Sequence, residues 1–486
     1  MRENTNYRRW TILILLALTL FRFWFCTYHE LIEDEAQYRL WSKHLDWSYY
    51  SKGPLVSWTI FVGTSIMGDT VFGIRWISVL LSAATGWMIF CLGSRLWNER
   101  IGFYALIIVI SFPLYAVGSV LMTIDPLSVF FWILAAHLFL SAVEKNKMSL
   151  WIGCGLAVGF GILGKFVNAL ELLSFLFFLL SDSDRRVRLK EKGFYLMLLV
   201  AVICMAPILY WNADHGWITL THLQERGKLD RHFEIQISEI LKFLKMQAIT
   251  ITPLYFLGMI VMGVSTTPLL WKSTRENQGL RYAVLLFLPT FLLYFILSFN
   301  DKGEANWTAT GLIGGILLLA YAGVSLVTQS RAKAIGVAII FGLAFLETVL
   351  CHDPFGLGVP LKSDPAARLR GWSDLAHKVD AVRQPGDVVI GNKYQTASIL
   401  AFYLQDRPTT YVPKTEKIQN QFSFWPSYKF DAETHGILVT DSIDEVPDAL
   451  KTQFSSIEKI ADFYRQDRGR DLKQYQIYRF EKPIGY

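Results

Sequence analysis

The chain has 486 residues, is 52% hydrophobic and carries 18% charged side chains, with a mean hydropathy of +0.32. Apolar runs at this density exclude an ordinary soluble protein and place the chain among polytopic membrane proteins. The net charge of +6 does not point to nucleic acid, because the basic residues are spread over short loops between apolar spans.

The first apolar run, Trp10 to Tyr28, follows Arg2, Arg8 and Arg9. At about 20 residues it can cross a ~30 Å hydrocarbon core. It is too long for a signal peptide and lacks a small-residue cleavage site, so it reads as a retained anchor. It leads into HELIEDEAQYRLWSKHLDWSYYSKGPLVSW, an amphipathic, Trp- and Tyr-rich stretch suited to the membrane interface. Asp34 and Glu35 stand at this helix mouth, where a carboxylate is costly beside hydrocarbon and so points to function. The plain alternative is that both acids favour the start of the next helix.

Eleven spans are expected, at 10–29, 71–92, 101–119, 127–143, 149–163, 167–181, 194–212, 246–265, 282–299, 308–328 and 333–351. The fifth and sixth are short, and a bent or re-entrant hairpin is their alternative reading. Basic residues concentrate in every second loop: Arg95 and Arg100, Lys145 and Lys147, Arg185 to Lys192, Lys272 to Arg281, Arg331 and Lys333. The intervening short loops have almost none. This asymmetry orients the N-terminus inward, and an odd number of spans puts the C-terminal region outside.

That orientation gathers Asp34, Glu35, Lys52, Asp125, Lys165, Glu304, Asn306 and Trp307 at the outer membrane edge. Each has a plainer reading. Asp125 before Pro126 suits a helix N-cap followed by proline. Lys52, Lys165 and the intramembrane Arg22 could snorkel to headgroups. Asn306 and Trp307 could be an interface anchor. His29 and His44 have no metal-binding spacing, and the five cysteines lack a paired spacing.

From about residue 352 the long apolar runs stop, and HDPFGLGVPLKSDP reads as a hinge. GDVVIGNKY, PTTYVP, GILVT and YQIYRF read as strands, TASILAFYLQ as a helix, and VPDALKTQFSSIEKIADFY as an amphipathic helix. The pattern predicts two parts: a membrane domain over 1–351, with the first outer loop at 30–70, and an extracytoplasmic α/β domain over 352–486.

Four segments carry a resemblance. DEAQYRLWSKHLDWSYYSKGPL, LMTIDPLSVFFW, GFGILGKFVNAL and GEANWTATG resemble motifs of the bacterial protein-mannosyltransferase-like membrane glycosyltransferases. These are glycosyltransferase family 39 and its relatives, including the lipid A aminoarabinose transferases. NKYQTASILAFYL and NQFSFW resemble the C-terminal region of bacterial members. The matching residues include Asp34, Glu35, Tyr38, Tyr49, Tyr50, Lys52, Asp125, Lys165, Asn306 and Trp307. The sequence departs from the pattern at Ser51, where relatives carry an acid associated with metal or donor binding. Gly53 replaces a proline, and Thr308 follows Asn306–Trp307 in place of proline.

The resemblance implies a polytopic α-helical fold of the GT-C type, with the α/β domain appended. It implies transfer of one sugar from a polyprenyl monophosphate donor to a lipid, glycan or protein acceptor, at the outer face of the bacterial cytoplasmic membrane. Asp34 is the expected general base, with Glu35 beside it. Lys52, Lys165 and Arg22 are the expected partners of the donor phosphate. Asp125, Tyr38, Tyr49, Tyr50, Glu304, Asn306 and Trp307 are expected to position substrate, and segment 213–245 to form a mobile wall. No cofactor is assigned; a divalent metal ion is the one the resemblance raises. A lipid flippase or a silent family member is the competing reading.

Overall fold

The computed structural model describes residues 6–229, 234–271, 277–353, 357, 365–415, 417–443 and 445–485. Most of the expected hinge, part of the 213–245 segment, and Lys272 with Arg275 therefore lie outside the described residues. The chain forms two compact units. The first takes in the chain up to Trp24, Trp47–Val56 and Arg75–Asp353; the second takes in Phe25–Asp46, Ser57–Ile74 and the described residues beyond 353.

The first unit is helical. Val71–Leu96, Ile124–Lys145, Pro253–Leu270, Gln278–Leu297 and Arg331–His352 are long and apolar enough to cross a membrane. Lys192–Cys204 and Ala206–Asp214, bent by 43°, make a sixth crossing if taken together. Met148–Gly164, Phe166–Leu180 and Leu312–Val327 are apolar but shorter. Length and composition thus carry five or six crossings among the described residues, and the expected count of eleven exceeds what they support. Prolines account for part of the difference, because a helix that loses an N–H and meets a ring tends to break there. The run 101–119 divides into Glu99–Ile110 and Pro113–Gly118, and the run 246–265 is interrupted at Thr252 before Pro253–Thr266.

With lipid tails as apolar as leucine, helices in a membrane associate by close packing. A Cβ on Gly155 would lie 2.5 Å from the Met197 carbonyl oxygen, so the helix Met148–Gly164 presses directly on Lys192–Cys204. Elsewhere in the unit, Phe139 and Phe175 stack with centroids 3.9 Å apart, and Tyr282 sits edge-on to Phe178. The outward face of Tyr7–Phe25 exposes Leu16, Leu20 and Trp24, as a lipid-facing helix should.

The second unit holds a five-stranded sheet: β1 (Val388–Gly391), β2 (Thr410–Tyr411), β3 (Gly436–Thr440), β4 (Phe454–Asp467) and β5 (Arg470–Pro483). Their order is β2-β1-β3-β5-β4. β1 runs parallel to β2 and β3; β5 runs antiparallel to β3 and β4. All five residues of β3 are buried, as expected of a central strand covered on both faces. The core includes Ile390, Leu438, Phe454 and Phe480. β4 and β5 join through Arg468 and Gly469, both at positive φ (49° and 79°), the geometry of a tight two-residue hairpin.

The strands and the helix Tyr394–Tyr403 match the sequence reading, but VPDALKTQFSSIEKIADFY does not. Only Asp448–Lys451 is helical there, and from Phe454 onward the segment is β4. Phe454, Ile457, Ile460 and Phe463 recur every third residue and imitate a helical stripe. The stripe is not one face of the strand: Phe454 and Ile457 pair with Pro483 and Phe480 in unbroken register and so lie on opposite faces, and a β-bulge between Lys459 and Ala461 leaves Ile460 as an extra residue.

The second unit also contains the helix Glu33–Lys43, whose Leu40 packs with Ala397, Ala401 and Phe422. Arg39 fixes its other end by an ion pair with Asp69, which Lys43 and Arg407 also reach, at 2.9 and 3.1 Å. The helix Leu55–Met67, which the sequence reading left inside the outer loop, is a short apolar element.

Candidate active site

Three of the expected positions meet inside the first unit. Asp125 is the second residue of Ile124–Lys145. The cap is Thr123, whose Oγ1 accepts from the Asp125 N–H, so the N-cap reading of Asp125 is corrected and its carboxylate is available to side chains. Lys165 ends Met148–Gly164, where its N–H still bonds the Gly161 carbonyl at 2.8 Å while its own backbone turns extended. Asn306 lies in the short 3-10 turn Ala305–Thr308.

The Lys165 ammonium donates to Asp125 Oδ1 at 2.8 Å and to the Asn306 carbonyl at 2.9 Å. The Asn306 amide donates to Asp125 Oδ2 at 2.6 Å. Lys165 is 9% exposed, so it is held in the fold and does not reach out to headgroups. Below it, Asn168 Nδ2 donates to the Ser128 carbonyl at 2.9 Å, tying the turn after Lys165 to the helix that carries Asp125.

Two departures from the family pattern have local reasons. A Cβ on Gly53 would lie 2.1 Å from the Leu163 carbonyl oxygen. Only glycine allows that approach, which seats the Lys52 loop against the end of the helix that leads to Lys165. Thr308 Oγ1 donates to Gln247 Oε1 at 2.7 Å, and Gln247 Nε2 donates to the Ala305 carbonyl at 3.2 Å. A proline at 308 would have no such hydroxyl. The Tyr115 hydroxyl bonds the next carbonyl, that of Ala309.

Around this cluster, Tyr49 and Tyr50 are buried. The Tyr49 N–H bonds the Lys52 carbonyl at 3.1 Å, and the Tyr50 ring lies 4.6 Å from that of His222. Burial, then the charges of Lys52 and Arg226, lower the pKa of His222 to about 4, so the ring is neutral at physiological pH. Arg226 lies over the Trp307 ring at 5.7 Å and reaches Glu304 at 3.4 Å. The sequence reading missed Arg226, His222, Gln247 and Tyr115. Two of them belong to the helix Ile218–Arg226, within the segment expected as a wall. Arg22 is buried in Tyr7–Phe25 and takes no part in the hydrogen bonds of the cluster.

Asp34, Glu35 and Tyr38 lie in the second unit, on Glu33–Lys43. Glu35 is fully buried, and its Oε2 accepts from the Ile32 N–H at 3.2 Å, so it does the capping that the plain reading proposed. Tyr38 is buried edge-on to Trp41. Arg368 Nε donates to Glu33 Oε2 at 2.8 Å, and its Nη2 to Asp34 Oδ2 at 3.5 Å. Burial alone would lower the pKa of this guanidinium; Glu33 and Asp34 more than offset it and raise it. Arg368 and Glu33 were also missed. Among the described residues, no group of three or more His, Cys, Asp or Glu side chains is set to hold a metal ion.

Three comparisons bear on this arrangement. Residues 51–211 match the family described as dolichyl-phosphate-mannose-protein mannosyltransferase. The lipid A galacturonosyltransferase RgtD of Rhizobium johnstonii is 26% identical over 315 residues, 63% of this chain and 64% of that one. The undecaprenyl phosphate-alpha-4-amino-4-deoxy-L-arabinose arabinosyl transferase 1 of Proteus mirabilis is 25% identical over 270 residues, 54% of this chain and 47% of that one. The matched stretches span less than two thirds of the length of these curated relatives.

In fold, the chain is similar to the apo crystal structure of ArnT from Cupriavidus metallidurans. The TM-score is 0.63 at 16% identity, covering 96% of this chain and 97% of that one. The same enzyme bound to undecaprenyl phosphate gives a TM-score of 0.60. The resemblance carried by the sequence motifs agrees with these comparisons: the chain is similar to glycosyltransferases that act with undecaprenyl-phosphate sugars, and its fold is similar to the helical membrane fold of ArnT.

Proposed function

We propose that this protein is a membrane glycosyltransferase that moves one sugar from a polyprenyl monophosphate to an acceptor at the outer face of the cytoplasmic membrane. The observation that carries the reading is the Asp125–Lys165–Asn306 cluster. Three segments distant in sequence, each part of the family resemblance, converge on one buried cation and its carboxylate.

An acceptor hydroxyl is a weak nucleophile, and Asp34 takes its proton as general base. Glu35, by capping the start of the helix, keeps Asp34 in register. The acceptor oxygen attacks the anomeric carbon as the bond from that carbon to the phosphate oxygen breaks. The electron pair leaves with the polyprenyl phosphate. Positive character at the sugar ring favours nearby carboxylates, while the growing phosphate charge calls for cations, the part of Lys165 and Lys52. Direct displacement with a single base inverts the anomeric configuration. Asp125 and Asn306 hold Lys165 in position, and Tyr49, Tyr50, Glu304 and Trp307 position substrate around it.

The sugars named for the two curated relatives, galacturonate and 4-amino-4-deoxy-L-arabinose, lead the panel of donors. The test is to incubate the purified protein with undecaprenyl-phosphate sugars and membrane lipid extract, and to measure undecaprenyl phosphate release and the anomer formed. One donor should be turned over with inversion. A protein that releases nothing from any donor, yet moves labelled undecaprenyl lipid between bilayer leaflets, would favour the flippase reading.

A further inference from the structure

The acidic segment 30–35, a loop that runs into the first turn of the helix bearing Asp34, is fixed by residues more than 300 positions away, all within the second unit. The Glu30 carboxylate accepts from the Trp372 and Ser373 N–H groups at 2.6 and 2.9 Å, capping the helix Trp372–Val382. The Glu30 N–H donates to the Leu369 carbonyl at 3.0 Å, and the Leu31 N–H to the Tyr403 hydroxyl at 2.7 Å. Trp372 Nε1 closes back on the Arg368 carbonyl at 2.8 Å, and the Arg465 guanidinium lies 3.8 Å over the Trp372 ring. Out of this frame Arg368 reaches Glu33 and Asp34.

The plain reading makes Arg368 one more stabilising ion pair. Its side chain is 54% exposed, and an exposed pair contributes only about 0–1 kcal/mol. The helix cap at Glu30 and the packing of Leu40 already anchor the loop. What the fork adds is orientation: one guanidinium addresses two successive carboxylates, and its planar donors constrain their direction.

We propose that Arg368 is a positioning residue for Asp34, and that the α/β unit serves as the mount of the acidic loop. The kinetic part of the proposal rests on the reading of Asp34 as general base; the mount does not. The carboxylate needs a fixed direction toward the acceptor proton, and a misplaced base loses rate with little change in donor affinity.

The test uses the full chain in lipid nanodiscs with Arg368→Gln and Arg368→Lys. Amide hydrogen exchange is read over residues 31–37, with residues 389–401 as the reference for an intact α/β fold. Turnover is measured with undecaprenyl phosphate-4-amino-4-deoxy-L-arabinose and with the galacturonate donor. In Arg368→Gln, exchange over 31–37 should rise while that over 389–401 stays unchanged. Its kcat should fall roughly tenfold with donor KM within about twofold, and Arg368→Lys should recover most of the loss. Unchanged exchange over 31–37, or an unchanged kcat, overturns the proposal. If the wild type turns over neither donor, the glycosyltransferase reading is what fails, and the exchange result alone decides whether the α/β unit mounts the loop.

Discussion

Lys165 shows how much one residue's environment adds to its sequence. GILGKFVNAL identifies a lysine at the end of an apolar run, and snorkelling is a reasonable expectation for it. The fold gives it a carboxylate and a carbonyl instead, both from segments far along the chain. Lys165→Met removes the cation while leaving Asp125 and Asn306 in place. Removing one group that stabilises developing negative charge costs about 10²–10³ in rate, so turnover should fall by that order in a lipid-phosphate release assay, with the thermal unfolding temperature shifted by only a few degrees. Arg368 lies at the opposite limit. Nothing in PAARLRGW marks it, because its partners Glu33 and Asp34 are 335 and 334 residues away and only the tertiary fold brings them together.

At the level of elements, the sequence is most informative where one period dominates. The buried strand GILVT and the helix TASILAFYLQ were legible because each has a single burial pattern and clear ends. The segment before Asp467 was not, since its apolar residues fall at a helix-like spacing although they lie on both faces of a strand that a bulge interrupts. The same elements set local stability. Leu438 is fully buried at the centre of β3, and Leu438→Ala should destabilise the α/β unit by about 2–5 kcal/mol, measurable as earlier loss of exchange protection in β1 and β3.

Asp69 ties the helix Glu33–Lys43 to its surroundings. Burial pushes its carboxyl pKa up, but hydrogen bonds from Arg39 and Lys43 outweigh this and lower it to about 2 from an ordinary 3.8. A folded-state pKa below the unfolded one contributes stability that is fully present above the unfolded value and is lost as pH falls through the folded one. Resistance to thermal unfolding should therefore fall as pH drops from about 4 to about 2. Asp69→Asn should be less stable at neutral pH and lose less across that window. Equal pH slopes for the two proteins would sink the assignment.

For the whole molecule, composition was enough to point to a helical membrane fold followed by an α/β region, and the motifs were enough to point to its relatives. They could not reveal that the compact units interleave along the chain. The first-loop segments Phe25–Asp46 and Ser57–Ile74 belong with the C-terminal sheet, whereas Trp47–Val56 belongs with the helical unit. A boundary near residue 352 follows the change in hydropathy, but long-range packing divides the chain differently. The helix Glu33–Lys43 reads as interfacial because it is amphipathic, yet its apolar side contacts Ala397, Ala401 and Phe422. An amphipathic pattern states that a face will be covered and leaves open what covers it.

The most direct test of the central claim is to follow the lipid phosphate by ³¹P NMR during incubation of the protein with the preferred undecaprenyl-phosphate sugar and acceptor lipid, wild type beside Asp34→Asn. The wild type should convert phosphodiester to monophosphate in step with sugar gained by the acceptor, and Asp34→Asn should be slower by about 10²-fold or more. Equal conversion by the two proteins, or no conversion of any donor by the wild type, would contradict the account.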